Sequence, residues 1–422
     1  MTTYYVNDTI GNDANAGTDQ ANPKKTIGSA VTAASSDDDV VEITDEATYD
    51  DESQIVVAAN NITLTHTASA LGRPIIDASG LGSTEIINLA PNGSTHRIGF
   101  TLNGIEVKGS GNSSQELFKH NNNSANANGL TVTDCFVYEV VALSNQFIQA
   151  AAGTSINIKQ SAFMFTNSNA DAIKFAGTGR FNIENCFLSR SATGTGGESL
   201  GPILRSLNST LNATASFCTF KFEEVGTNIP VIKTFPRVIN CVVTGSGANL
   251  AGIDAASHTF NVVNVDGNPY QNGSGTSASA GTGDLEGAVT FIDGTSVGHT
   301  FSVVQNFALV QGSVGIDQGT SFDSISVDII GTTRPQRGGF DMGAFELEPP
   351  YWTENDGTGS FRRKFGSNGF VIQTTANRTR TTRFKAARDN RQAPFYVTIP
   401  GPASIRGRTG PLPGNAPYKN ET

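Results

Sequence analysis

Four cysteines recur in the same local setting along this chain, and their spacing limits the possible folds more than any other feature. Each precedes a short run of alternating apolar residues, at 133–137, 184–188, 216–220 and 239–243. Two cysteine-free segments, 102–105 and 160–163, share the pattern. The small residues of the six segments are separated by 31, 27, 24, 32 and 23 residues, and they are Gly104, Cys135, Ala162, Cys186, Cys218 and Cys241.

Self-similarity at this period is typical of stacked repeats. The repeated unit contains β-branched and aromatic runs that alternate, which indicates strands instead of helices. In a solenoid of strands, equivalent residues lie above one another at about 4.8 Å. The sequence therefore predicts an all-β fold, a right-handed parallel β-helix, in which the six small residues form one structural ladder at an inner corner.

The ladder explains the cysteines as buried side chains. A small, weakly polar thiol fits a tight corner, and the preceding Asp134, Asn185 and Asn240 belong to residue types that tolerate positive φ. Packed free thiols are the favoured interpretation, and disulfides between coils are the alternative. We expect no metal and no cofactor, because the sequence has no Cys-x-x-Cys and no close Cys/His pair.

Charge divides the chain unevenly. Residues 351–422 hold 12 Lys and Arg against 4 Asp and Glu, a net charge of +8, which leaves 16 against 34, or −18, in residues 1–350. We expect three parts: an N-terminal cap at 1–39, the β-helix at 40–348 and a small basic C-terminal β module or arm at 349–422. No apolar run could span a bilayer and the start lacks signal-peptide features, so we expect synthesis in the cytoplasm and no membrane contact.

The start of the chain predicts a capping helix. Thr26 can N-cap a short helix in which Ile27, Ala30 and Val31 share one face, and such a helix would cover the open edge of the first coil. At about 27 residues per coil, residues 40–346 would form roughly eleven coils, a rod about 50 Å long.

Both ends of the predicted solenoid resemble a known family. The pattern at 11–18, Pro23 and 25–27 is similar to the cap of pectate-lyase-like β-helix proteins. The closing pattern at 316–317, 331, 334–335 and 341–346 resembles the terminal coil of the same superfamily, which also includes phage structural proteins. The resemblance covers residues 4–346 and implies the architecture more than an activity.

Enzymes of that superfamily cleave polysaccharides, and hydrolysis needs two carboxylates about 5 to 9.5 Å apart. The Gly-His-Gly motif of the family's hydrolases does not occur in the sequence, and no Arg-x-Lys occurs in the predicted solenoid, residues 40–348. The acidic clusters at 37–39 and 49–52 are interpreted as keeping the capping edge soluble instead of binding Ca²⁺. Glu223 and Glu224 could line an outer groove or end a solvated strand. The sequence therefore predicts no catalytic residue, although a polysaccharide lyase or glycoside hydrolase stays open.

Charged residues near the end of the predicted solenoid are interpreted as structural. Asp317, Asp328 and Asp341 are expected to accept hydrogen bonds from turn amides. Arg334 and Arg337 are expected to have structural roles as well, with a carbohydrate or phosphate contact as the alternative.

The basic arm predicts a partner surface. Residues 360–399 alternate apolar residues with Arg and Thr, which suggests two or three strands, too few to be stable alone. Nucleic acid is disfavoured because a body of charge −18 repels phosphate, which leaves an acidic protein surface or self-association. The predicted partner-binding residues are Arg362, Arg363, Lys364, Arg378, Arg380, Arg383, Lys385, Arg388 and Arg391.

Together these features favour a non-enzymatic bacteriophage virion structural protein. It would be a homotrimeric spike, fibre or capsid-decorating protein that other virion proteins of capsid or tail hold through residues 351–422. The alternative is a tailspike-like depolymerase that binds or cleaves host surface polysaccharide.

Overall fold

The chain folds into long parallel β-sheets, as the sequence predicts. Among the described residues, the computed structural model contains one α-helix and one short 3-10 helix, Ser79–Leu81, and no helix there is long and apolar enough to cross a membrane. The chain forms two compact units, Met1–Glu346 and Leu347–Thr422. The structure describes residues 1–347 and the backbone of six later strands, except for residues 51–52, 67–71, 91–96, 113, 120–128, 145–147, 151–152, 167–170, 192–200, 208–211, 224–229, 247–249, 273–275, 293–306, 311, 324 and 337.

The N-terminal cap is a helix, Ile27–Ala33, as predicted. The Thr26 hydroxyl accepts a hydrogen bond from the Ser29 amide at 3.2 Å, which satisfies one free N–H of the first turn. Ile27, Ala30 and Val31 are fully buried, so the apolar face of the helix closes the interior at the first coil.

Parallel strands of successive coils form three walls of the first unit. The first wall contains Thr3–Val6, Val40–Ile43, Thr63–His66, Phe100–Asn103, Leu130–Thr133, Ser155–Lys159, Arg180–Glu184 and Asn212–Ser216. The second wall contains Thr48–Tyr49, Ile75–Asp77, Glu106–Lys108, Phe136–Val140, Ala162–Phe165, Phe187–Ser191, Thr219–Glu223, Val242–Ser246, Val262–Val265 and Leu285–Glu286. The third wall contains Ile55–Val56, Ile87–Asn88, Phe118–Lys119, Ile148–Ala150, Ile173–Gly177, Leu204–Ser206 and Tyr270–Asn272, with the antiparallel Thr276–Ser277 at its end.

In the last coils the first and third walls merge. Pro230–Ile239 and Ala251–Thr259 each run through both walls, and in the former Thr234 makes the bend with a φ of 50°. Nine strands from Val40–Ile43 onward stack along the first wall, which corresponds to about 40 Å at one strand spacing per coil. This is fewer than the roughly eleven coils expected, because the described chain after Glu286 leaves the stack.

Apolar side chains at equivalent positions of successive coils fill the interior. Leu64, Leu102, Val132, Ile158 and Ile183 are paired in register along the first wall, and all are fully buried. Because alternate residues of a strand point to opposite faces, the residues between them face outward and are polar.

The corner between the first and second walls has two adjacent columns of residues. The first column holds residues with φ between 46° and 72°, namely Gly104, Asp134, Gln160, Asn185, Phe217, Asn240 and Phe260. Strand register places the second column directly after it, and that column contains Ile105, Cys135, Ser161, Cys186, Cys218, Cys241 and Asn261.

Two residues of the predicted ladder therefore lie one position away from it. Gly104 belongs to the bend column, because in its coil glycine supplies the positive φ that Asp134 supplies in the next. Ala162 is the first residue of its strand, and Ser161 takes the place of the thiol. Small size alone does not distinguish the bend residue, the buried corner residue and the residue that follows.

A strap, residues 307–346, covers most of the outer face of the second wall. Its Phe307, Ile329 and Phe345 pack on outward-facing residues that include Phe136 and Phe187. The rings of Phe187 and Phe307 are stacked at 4.6 Å between centroids. The part of the second wall under the strap is thus buried on both faces, and these residues do not form the terminal coil that the sequence suggested.

Side chains of the bend column hold the strap in place. The Asn240 amide donates to the Thr320 carbonyl at 2.7 Å and accepts from the Thr320 N–H at 2.9 Å. Asn185 donates to the Val327 carbonyl at 2.7 Å. Residues that were expected only to make the bend therefore also bind the strap.

The second unit, Leu347–Thr422, contains antiparallel strands. In its described part it has a four-stranded and a two-stranded sheet, and four of these strands lie within residues 360–399, where the sequence suggested two or three. In order within each sheet, the strands are Tyr351–Asn355, Ser360–Phe365, Phe370–Thr375 and Ile405–Gly407, then Thr382–Phe384 and Phe395–Val397.

Candidate functional site on the outer face of the second wall

The area of the second wall that the strap covers extends as far as Phe136 and Tyr138. The next two strands toward the cap, Ile75–Asp77 and Glu106–Lys108, carry outward-facing charged residues. Val107 and Ile76 between them are fully buried, so Asp77, Glu106 and Lys108 lie on the outer face. These two strands carry charged residues on their outer face, next to the apolar residues that pack with the strap, and this part of the wall is the candidate site.

Glu106 is a half-buried carboxyl group in this site. Its strand pairs with Phe136–Val140 so that Glu106 lies beside Phe136, which is fully buried. Burial raises the pKa of Glu106, and this effect outweighs the hydrogen bond from the Tyr138 hydroxyl and the attraction of Arg73, which both favour the charged form. Glu106 therefore holds its proton to higher pH than an exposed glutamate does.

Asp77 has the opposite properties. Burial disfavours its charge, but hydrogen bonds from Ser79 and Lys108 outweigh burial and lower the pKa of this carboxyl group. The Lys108 ammonium donates to it at 2.9 Å, and the Ser79 N–H donates at 3.0 Å. Asp77 therefore stays ionised where Glu106 is protonated.

The register sets the separation of these two carboxyl groups. Ile75 pairs with Glu106 and Asp77 pairs with Lys108, so Asp77 and Glu106 are diagonal neighbours on adjacent strands. One strand spacing and two residue steps give a Cα–Cα distance of about 8 Å. Two carboxyl groups on one face of a sheet whose Cα atoms are this close, one protonated and one ionised, can act as an acid and a base on one bond.

Arg73 forms the edge of the site. Its guanidinium donates to the carboxylate and to the backbone carbonyl of Asp134, the latter at 3.1 Å. Asp134 therefore orients Arg73 next to Glu106, while also making the bend of its own coil with a φ of 52°.

Sequence reasoning missed this site because its members are single acidic residues in short apolar strands. Asp77 and Glu106 are separated by 29 positions, and only the register across the intervening loop brings them together. One signal was available in the sequence. Glu106 is the first strand residue after the corner, and later coils have Phe136 and Phe187 at the equivalent position.

The cysteine column is a set of free, fully buried thiols, which agrees with the favoured interpretation of the sequence. Each sulfur donates to a carbonyl two residues earlier, at 3.2–3.3 Å, and to a carbonyl of the preceding coil, at 3.5–3.6 Å. Burial raises the pKa of Cys135 to about 12 and raises those of Cys186 and Cys218 well above the usual thiol value. These thiols have a packing role.

The predicted structural role of the charged residues in the strap is seen in detail. Asp328 accepts hydrogen bonds from the amides of Ile330, Thr332 and Glu346 at 2.7–2.9 Å. Arg334 is 4% exposed and donates to the Glu346 carboxylate at 3.2 Å. Arg334 also donates to the carbonyls of Asp341 and Gly343, so it closes the strap on itself.

The acidic residues at the cap also bind backbone. Asp39 is 1% exposed and accepts from the Thr2 amide at 2.7 Å, and Asp37 accepts from the Asn60 amide at 2.9 Å. The expectation of a solvated edge is therefore wrong for Asp39, whereas Asp37 is exposed. Among the described residues, no group of three or more His, Cys, Asp or Glu could hold a metal ion.

The predicted partner-binding residues lie in the second unit. Arg362, Arg363 and Lys364 are in the strand Ser360–Phe365, and Arg383 is in Thr382–Phe384. The other predicted partner-binding residues lie outside the described part of the chain, and they are Arg378, Arg380, Lys385, Arg388 and Arg391. Outside it as well lie Glu224, Arg337, Asp51 and Glu52, for which the sequence also suggested roles.

Comparisons with known proteins give matches only to solved structures. No family model matches the chain, and no curated protein matches it. Two crystal structures of a GH136 lacto-N-biosidase from Eubacterium ramulus, the native protein and its selenomethionine derivative, align with a TM-score of 0.30 at 13% and 12% identity. Each alignment covers 62% of this chain and 50% of that chain.

Proposed function

We propose that this protein hydrolyses a polysaccharide on the outer face of the second wall, with Glu106 as the general acid and Asp77 as the partner carboxylate. The observation that carries the proposal is that these two carboxyl groups are diagonal neighbours on adjacent strands of one outer face, with pKa shifts in opposite directions. Such divergence assigns an acid and a base to a pair of titratable groups.

The chemistry follows from the two protonation states. Protonated Glu106 donates its proton to the glycosidic oxygen as the bond to the anomeric carbon breaks. Ionised Asp77 either attacks the anomeric carbon and forms a glycosyl-enzyme bond that water then breaks, or takes a proton from the water that attacks this carbon. In both cases the oxygen of water ends on the anomeric carbon as a hydroxyl group. Lys108 keeps Asp77 charged, and Tyr138 orients the Glu106 carboxyl group.

Hydrolysis is tested by incubating the purified chain with bacterial capsular polysaccharides and measuring new reducing ends. Glu106→Gln and Asp77→Asn are each expected to lower the rate by about 10²- to 10⁴-fold, the usual contribution of a general acid or base. Glu184→Gln is the matched control, because Glu184 pairs with Lys159 at 3.2 Å on the first wall, away from the site. No reducing ends with any polymer, or full activity in Glu106→Gln, would refute the proposal.

A second candidate function is attachment to a virion through the second unit. It is favoured by the division of charge, +8 in residues 351–422 against −18 before them, which nearly coincides with the boundary between the units. An acidic surface on a capsid or tail protein would attract the basic unit while repelling the first unit. In this proposal, phage particles display the first unit as a rod, either as trimers or as single copies.

Attachment is tested with a chain truncated before residue 351. Particles assembled with the truncated chain are expected to lack it, and particles assembled with the full chain are expected to contain it. A triple variant of the full chain, Arg362→Gln, Arg363→Gln and Lys364→Gln, separates charge from bulk. Normal incorporation of the truncated chain would exclude this function.

A further inference from the structure

Tyr138 links two parts of the first unit that are distant in sequence. Its ring packs in one apolar cluster with Ile329 and Phe345 of the strap, and it lies 5.0 Å from the ring of Phe136. Its hydroxyl donates to Glu106. One side chain therefore contacts both the end of the strap and the proposed acid.

The strap also covers neighbours of Glu106. Phe136 is the in-register neighbour of Glu106. Phe136 and Tyr138 belong to the same apolar cluster as Ile329 and Phe345 of the strap, and these two strap residues are called the strap end. The strap contributes apolar residues here, so the charged and titratable groups that face Glu106 or Tyr138 come from the walls; they are Arg73, Asp77, Lys108 and Glu139.

We propose that the strap end is a positioning element for Glu106, and that Ile329 and Tyr138 set the protonation of this acid from outside the reacting pair. The inference rests on the proposed hydrolysis. It extends that function by assigning a role to the strap, which otherwise only covers the wall.

The two contacts act on Glu106 in opposite directions. The Tyr138 hydroxyl favours the charged carboxylate, so its removal makes Glu106 harder to ionise. The apolar strap residues that pack with Phe136 and Tyr138 add to the burial that disfavours the charged form of Glu106, so loosening the strap end is expected to make Glu106 easier to ionise. A purely structural role of the strap predicts a loss of stability and no such pair of opposite effects.

The experiment compares Tyr138→Phe with Ile329→Ala. Tyr138→Phe keeps the ring in the cluster, and the alkaline limit of hydrolysis is expected to move up by about half a pH unit or more. Ile329→Ala is expected to move the limit down by a similar amount. Leu309→Ala is the control, since Leu309 packs with Val242 and Val262 at the other end of the strap, and it should leave the limit unchanged.

A second readout does not depend on activity. The carboxyl carbon of Glu106 is titrated by NMR in chain labelled with [5-¹³C]glutamate, with the signal assigned by its loss in Glu106→Gln. Opposite shifts of this titration in the two variants support the inference even if no polymer is cleaved, in which case only the proposed hydrolysis fails. Unchanged titrations, or shifts in the same direction, overturn the inference whether or not the protein is active.

Discussion

Replacing Asn240 tests whether the bend column holds the strap. Asn240 is fully buried, has a φ of 53° and makes two hydrogen bonds with Thr320. Asn240→Ala removes both bonds and places a Cβ-bearing residue without a compensating polar group in the left-handed region.

The size of the effect follows from these contacts. Because Thr320 is partly exposed, each of its two abandoned backbone groups is expected to cost about 1 kcal/mol, the low end for an unmade hydrogen bond. The left-handed conformation adds about 1 kcal/mol for alanine. We expect Asn240→Ala to lower the free energy of unfolding by about 3 kcal/mol, and Asn240→Gly by about 2 kcal/mol, since glycine adopts positive φ without strain.

Urea unfolding followed by circular dichroism measures these differences, and limited proteolysis reports whether the strap is cleaved before the walls unfold. Asn182→Ala is the control, because Asn182 bonds to Asn157 at 3.0 Å on the first wall. A loss below about 1 kcal/mol for Asn240→Ala, or equal losses for alanine and glycine, would show that the bend column does not clamp the strap as argued.

Three further predictions concern the first unit. All four thiols are buried, and burial raises the pKa of Cys135, Cys186 and Cys218. They should not react with a thiol reagent at pH 8 in the native state and should all react in urea. Fast labelling of the native protein would contradict the packed column. Burial raises the pKa of Glu346 to about 7, so the stability that its protonated form contributes is fully present below the ordinary glutamate pKa and is lost as the pH rises through 7. Proteolysis of the strap should therefore increase from pH 5 to 8, and it should increase less in Glu346→Gln. An identical pH dependence in both proteins would refute this. Phe187→Ala should lower the free energy of unfolding by about 3–5 kcal/mol, because the ring is fully buried between wall and strap, and a loss near that of an exposed residue would argue against the covered wall.

The solenoid could be predicted because its evidence is local and repeated. Each Cys-containing segment predicts the same corner between two strands, and Thr26 predicts the start of the capping helix. A few residues in each coil are therefore enough to predict the stack. The register error at Gly104 and Ala162 arose because three consecutive corner positions all accept small residues, and only the hydrogen-bonded pairs distinguish them.

The strap and the site could not be predicted because their contacts join segments far apart in the chain. Gln160 bonds to Asp328 across 168 residues, and Asn240 bonds to Thr320 across 80. One signal was available: the strands Phe136–Val140 and Ala162–Phe165 have apolar residues at three or more consecutive positions, which is typical of a sheet covered on both faces.

The strap also makes the number of coils hard to change. Its anchors at Thr320 and Val327 match corners two coils apart, at Asn240 and Asn185, a rise of about 10 Å. A gene duplication that inserted one extra coil between those corners would separate them by a further 5 Å or so while the strap kept its length. Relatives with longer solenoids should therefore carry a correspondingly extended return segment, or lack one altogether.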